Sequence, residues 1–133
     1  MKTGKQEEAF QHVREAIRLE PTNDEAQANF GLMLFQIGKT PEAIEQFQNA
    51  LRFNPANVQA HYRLATVLVT LNKNDEALSH LASVVQLQPN YILAHVGMAE
   101  ILKRQGKMQE AAAHQAMANS LRERNSSNTS GER

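Results

Sequence analysis

A period of 34 residues constrains this chain more than any other feature. Pro21, Pro55 and Pro89 stand 34 apart, and the same step links Gly4, Gly38, Asn72 and Gly106. It carries Lys5 to Lys39, Lys73 and Lys107, Glu8 to Glu42, Glu76 and Glu110, and Ala9 to Ala43, Ala77 and Ala111. Ala26, Ala60 and Ala94 form a further column, and Leu34, Leu68 and Leu102 another. Self-similarity at this period marks a supersecondary unit that cannot bury its apolar face alone and is completed by its neighbours.

Each column has a physical role. Gly38 and Gly106 suit the left-handed residue that follows a helix end, where a Cβ is penalised, and Asn72 is the common substitute. The Glu column falls in the first turn of the next helix, where a carboxylate complements the positive dipole end. Thr40 and Asn74 are natural N-caps, and Pro41 loses no needed N–H at a first helical position. The Pro column stops the second helix, and Asn23, Asn57 and Asn90 follow as turn or cap residues. Each unit is therefore two helices and a tight turn. First helices are expected near 24–37, 58–71 and 92–105, and second helices near 6–19, 41–53, 75–87 and 108–122. Apolar spacing agrees: Phe30, Leu34 and Ile37 share one helix face, and Ile44, Phe47 and Leu51 share another.

Composition narrows the function. Fourteen basic and 14 acidic residues cancel, and both signs are interspersed, which removes the electrostatic case for nucleic acid. No run of about eighteen apolar residues exists, so no membrane insertion is expected. The start lacks the apolar core of a secretory signal, and a cytoplasmic location is the expectation. The absence of cysteine excludes disulfide and thiolate chemistry.

These columns resemble the tetratricopeptide repeat family. Its 34-residue unit has a small residue in the first helix, matched by Gly31, Ala65 and Ala99, and an Ala early in the second, matched by Ala9, Ala43, Ala77 and Ala111. A large residue follows at Val13, Phe47 and Leu81, then Ala16, Ala50 and Ala118, and the terminal Pro at 21, 55 and 89. The family's favoured Trp is here Gln27, His61 or His95, its Tyr is Leu34, Leu68 or Leu102, Val84 replaces an Ala, and Glu123 stands where the last Pro is expected. The resemblance implies an all-α, right-handed superhelical solenoid of about three and a half repeats over residues 1–122. The half repeat covers 1–23, and the full repeats cover 24–57, 58–91 and 92–122.

The two ends differ. In the last helix Gln115 and Asn119 replace the apolar residues of the earlier copies, as a polar cap requires. Residues 123–133 then read as a disordered polar tail. At the start, Phe10, Val13 and Ile17 present an apolar face whose own first helix is missing, so a self-association face is expected there.

No catalytic constellation is present. His61 and His95 share one column, and His12, His80 and His114 share another. Side chains one repeat apart are separated by about 10 Å, a helix diameter, so neither column is expected to hold a metal, and no cofactor is expected. Gly-x-Ser-x-Gly and His-Glu-x-x-His are absent, and the Gly-Lys pairs lack a phosphate-binding loop.

In the family the first helices line a concave groove that holds a partner's segment. Carried onto this chain, the groove residues are Asn29, Leu32, Phe35, Tyr62, Arg63, Thr66, Val96, Glu100 and Lys103. The family's clamp for C-terminal carboxylates is not reproduced: Arg63 fits its Arg, but Gln59 replaces its Lys, and the helix that would supply its first pair is absent. The expected function is recognition of a protein or peptide partner, without catalysis. Two alternatives are a self-assembling scaffold, giving a homo-oligomer through the N-terminal face, and the regulatory repeat array of a larger enzyme such as a glycosyltransferase.

Overall fold

The computed structural model describes residues 2–131, with side chains described over residues 4–127. Seven helices and no strand occur among the described residues: α1 Lys2–Leu19, α2 Asp24–Gln36, α3 Thr40–Phe53, α4 Val58–Thr70, α5 Asn74–Leu87, α6 Ile92–Arg104 and α7 Met108–Gly131. The pairs α2–α3, α4–α5 and α6–α7 are the repeats, and α1–α2, α3–α4 and α5–α6 are the joints between them. First helices also meet directly where α2 touches α4. No helix among the described residues is long and apolar enough to cross a membrane.

The turns inside the repeats follow from the Gly/Asn column. Gly38, Asn72 and Gly106 have φ of 85°, 61° and 78°. Lys39 N–H donates to Leu34 C=O at 2.9 Å, Lys73 to Leu68 at 2.8 Å and Lys107 to Leu102 at 2.9 Å, closing the same six-residue loop three times. This is the Schellman arrangement, which satisfies carbonyls the helix end leaves open. The turn hands the chain straight into the next helix, so the N-cap positions of α3 and α5 are Lys39 and Lys73, without a side-chain cap bond. Thr40 and Asn74, the expected caps, are already helical, and the observed caps stand one residue earlier. Asn23 and Asn57 do cap α2 and α4, accepting from Ala26 N at 3.0 Å and Ala60 N at 2.9 Å. At α6 the cap position belongs to Tyr91, not Asn90, and it makes no side-chain cap bond.

The core is built from small residues that let helices approach and large ones that fill what remains. Ala43, Ala50, Ala60, Ala77 and Ala94 are fully buried, and so is Phe47. Gly31 sits directly over the Phe47 ring: a Cβ there would lie 2.8 Å from Cε1. The approach of α2 to α3 thus depends on the missing side chain.

The α3–α4 loop is held by a polar bracket. Asp24 Oδ2 accepts from Asn54 Nδ2 at 3.0 Å and from Asn57 Nδ2 at 2.7 Å. Asp24→Ala removes the acceptor of both bonds and a favourable charge from the first turn of α2. It is expected to lower the unfolding free energy by about 1–2 kcal/mol in urea melts, and an unchanged midpoint would show that the bracket is idle.

Both ends depart from the expectations. Phe10 is only 6% exposed and meets Phe30 edge-on, with ring centroids 5.9 Å apart and planes at 77°. The Arg14 guanidinium lies 5.8 Å from both ring centroids. Phe10 is therefore not part of an open face, because α2 covers it. Val13 and Ile17 remain half-buried. At the other end α7 does not stop at residue 122 but continues to Gly131. Leu121 anchors it on the core side, no proline follows, and Asn, Ser and Glu cost a helix only tenths of a kcal/mol each, roughly. Residues 132–133 lie outside the described residues.

Candidate functional site

Along the side where α2, α4, α6 and finally α7 succeed one another, the surface dips three times. The first hollow, between α2 and α4, is lined by Ala28, Asn29, Leu32, Gln59 and Arg63. The second, between α4 and α6, has Tyr62, Thr66 and Val69 on one wall and Leu93, Gly97 and Glu100 on the other. Glu100 and Lys103 enter the third, with Met108 and Gln115 opposite on α7. The row arises because each repeat presents the same helix on the same side, one step further along.

Seven of the nine groove residues read from the sequence line this row: Asn29, Leu32, Tyr62, Arg63, Thr66, Glu100 and Lys103. Phe35 and Val96 do not line these hollows. Phe35 packs against the core, and Val96 is half-buried on α6. Tyr91 belongs beside the row and was not anticipated. Its ring lies 5.3 Å from that of Tyr62, tilted by 44°, and the Arg63 guanidinium is 6.0 Å from the Tyr62 centroid. Burial pushes the Tyr91 phenol above its ordinary value, Tyr62 adds to the rise and Arg63 opposes it. The signal in the sequence is a broken column, since Tyr91 stands where Asn23 and Asn57 supply caps.

The histidines form a second constellation. His61 Nδ1 lies 3.0 Å from His80 Nδ1, and His95 Nδ1 lies 3.2 Å from His114 Nδ1. The ring centroids are 5.2 Å and 5.5 Å apart. His61 Nε2 is 2.8 Å from Pro55 C=O, and His95 Nε2 is 2.9 Å from Pro89 C=O. A carbonyl only accepts, so Nε2 carries the hydrogen in both rings and Nδ1 is left with its lone pair. His80 and His114 then donate from Nδ1. Burial lowers the His80 and His114 pKa values, the neighbouring His61 and His95 lower them further, and Glu76 and Glu110 oppose the shift. Comparison within a column misses these pairs because each joins two columns, one on each helix of a repeat. Among the described residues no group of three or more His, Cys, Asp or Glu side chains is placed to hold a metal ion.

A family model described as tetratricopeptide repeat matches residues 1–124. Among solved structures, a crystal structure of MamA superposes with a TM-score of 0.86 at 23% identity, covering 96% of this chain and 74% of that one. MamA MSR-1 gives a TM-score of 0.76 at 28% identity, over 93% of this chain and 71% of the other. MamA 41-end from Desulfovibrio magneticus RS-1 gives 0.77 at 20% identity, over 92% and 69%. The likeness is one of fold, an all-helical solenoid of stacked pairs. No curated protein matches the chain.

Proposed function

Because the chain belongs to the tetratricopeptide repeat family, we propose that it is a protein-recognition module, without catalysis of its own, that takes a partner's peptide segment along the row of hollows. The observation that carries this reading is the Tyr62–Arg63 corner. Arg63 opens into the hollow between α2 and α4, and its neighbour Tyr62 faces the hollow between α4 and α6. Aromatic and Arg side chains are the usual anchors of interfaces, since they bring large area or several donors for few ordered torsions. Stacking on Tyr91 holds the Tyr62 ring before a partner arrives, which reduces the ordering cost of binding. The segment that fits carries an apolar side chain against Tyr62 and an acidic residue toward Arg63 or Lys103.

A binding peptide selected from a random library by the full chain provides the test. Tyr62→Ala and Arg63→Ala are each expected to cost about 2 kcal/mol, a loss of roughly thirtyfold in Kd. Gln48→Ala, exposed on α3 away from the row, is expected to bind as the parent does. Unchanged binding by both groove variants together with a loss at Gln48 would move the functional surface to the second helices.

A further inference from the structure

We propose that His61–His80 and His95–His114 are two bidentate binding sites for a divalent first-row transition ion such as zinc. Each site ties the first helix of a repeat to its second. The inference is independent of the peptide groove.

Distance supports it first. A tetrahedral zinc ion held at about 2.0–2.1 Å by two imidazole nitrogens sets those nitrogens about 3.3 Å apart. The pairs stand at 3.0 Å and 3.2 Å already. Small rotations of both rings turn the two Nδ1 atoms from facing each other to facing a shared point. The outer contacts are also those of a ligand. A metal-bound histidine characteristically gives its other ring N–H to a carbonyl or carboxylate, which fixes tautomer and orientation. His61 and His95 make that bond to Pro55 and Pro89. On binding, His80 and His114 give up the Nδ1 proton and take one at Nε2, so each ring stays neutral.

The chain contains its own comparison. In the first full repeat Gln27 stands in the His61 column and Gln46 in the His80 column. Gln27 keeps the tether, donating from Nε2 to Pro21 C=O at 2.8 Å. The tether therefore needs no imidazole. Both later repeats nevertheless pair imidazole with imidazole across the helix pair. A carboxylate also stands one helical turn before each second-helix histidine, Glu76 before His80 and Glu110 before His114. Residues four apart share a helix face, so each can turn toward a bound cation while water fills the other positions.

Equilibrium dialysis of the metal-free full chain against millimolar zinc is expected to leave two ions per chain. His80→Asn is expected to leave one, and His80→Asn with His114→Asn none. Zinc is expected to raise the melting midpoint of the parent by several degrees, and of the double variant not at all. Should a variant fail to fold, as judged by circular dichroism, nitrogen NMR of the parent decides. The Nδ1 resonances of His61, His80, His95 and His114 are expected to move on zinc addition while those of exposed His12 stay. No bound zinc in the parent, undiminished binding by a folded double variant, or shifts confined to Nε2 or to His12 would each overturn the proposal and leave the pairs as hydrogen bonds alone.

Discussion

Phe47→Ala is expected to lower the unfolding free energy by about 3–5 kcal/mol, a large share of the 5–15 kcal/mol typical of a whole domain. The ring is 0% exposed and fills the space between α2 and α3. Its removal costs the transfer of the ring atoms plus the cavity left behind, since helices pinned at both ends by tight turns collapse only partly. A second substitution makes the expectation specific. Gly31→Ala alone puts a methyl 2.8 Å from the Phe47 ring, and that clash outweighs the roughly 1 kcal/mol gained by replacing a mid-helix glycine. In the Phe47→Ala background the obstacle is gone, and Gly31→Ala is expected to stabilise. Urea melts of the four proteins measure the cycle. If Gly31→Ala has the same sign in both backgrounds, the contact between residue 31 and the ring is not what sets the helix spacing.

Ala77→Leu has the next largest expected effect, a loss of about 3 kcal/mol, at the upper end for overpacking. Ala77 is 0% exposed at the start of α5, and a leucine there must push α5 off α4 or leave its rotamer well. The same column supplies a control. Ala9 is only half-buried in α1, so a larger side chain there has room to turn toward solvent. Ala9→Leu is therefore expected to cost less than about 1 kcal/mol. Thermal melts of the two variants suffice, and an equal loss at both positions would mean that the column does not mark helix crossings.

Features set by a single backbone requirement were legible in the sequence. Gly38, Asn72 and Gly106 announce positive φ, and all three turns are built on it. Helix starts were less legible at Thr40 and Asn74, because the loop closed by Lys39 N–H and Lys73 N–H fixes the cap position through the backbone. The contacts of Phe10, Tyr91 and the histidines were not legible at all. Each depends on how two helices with different columns are laid against each other. Period and spacing describe one helix at a time, so a side chain that crosses from one column to another leaves no periodic trace. The end of α7 shows the converse. Composition marks Asn, Ser and Glu as solvated residues, which says nothing about whether a helix already under way must stop.

Because the helices meet mainly their neighbours in the chain, with thinner joints between repeats than within them, the molecule is mechanically a set of springs in series. Compliances in series add, so a load along the stack is shared by α1–α2, α3–α4 and α5–α6 rather than absorbed at a single hinge. A guest that presses on the row of hollows changes its curvature by a small tilt at each joint. Stiffness is then a matter of how many joints the guest spans.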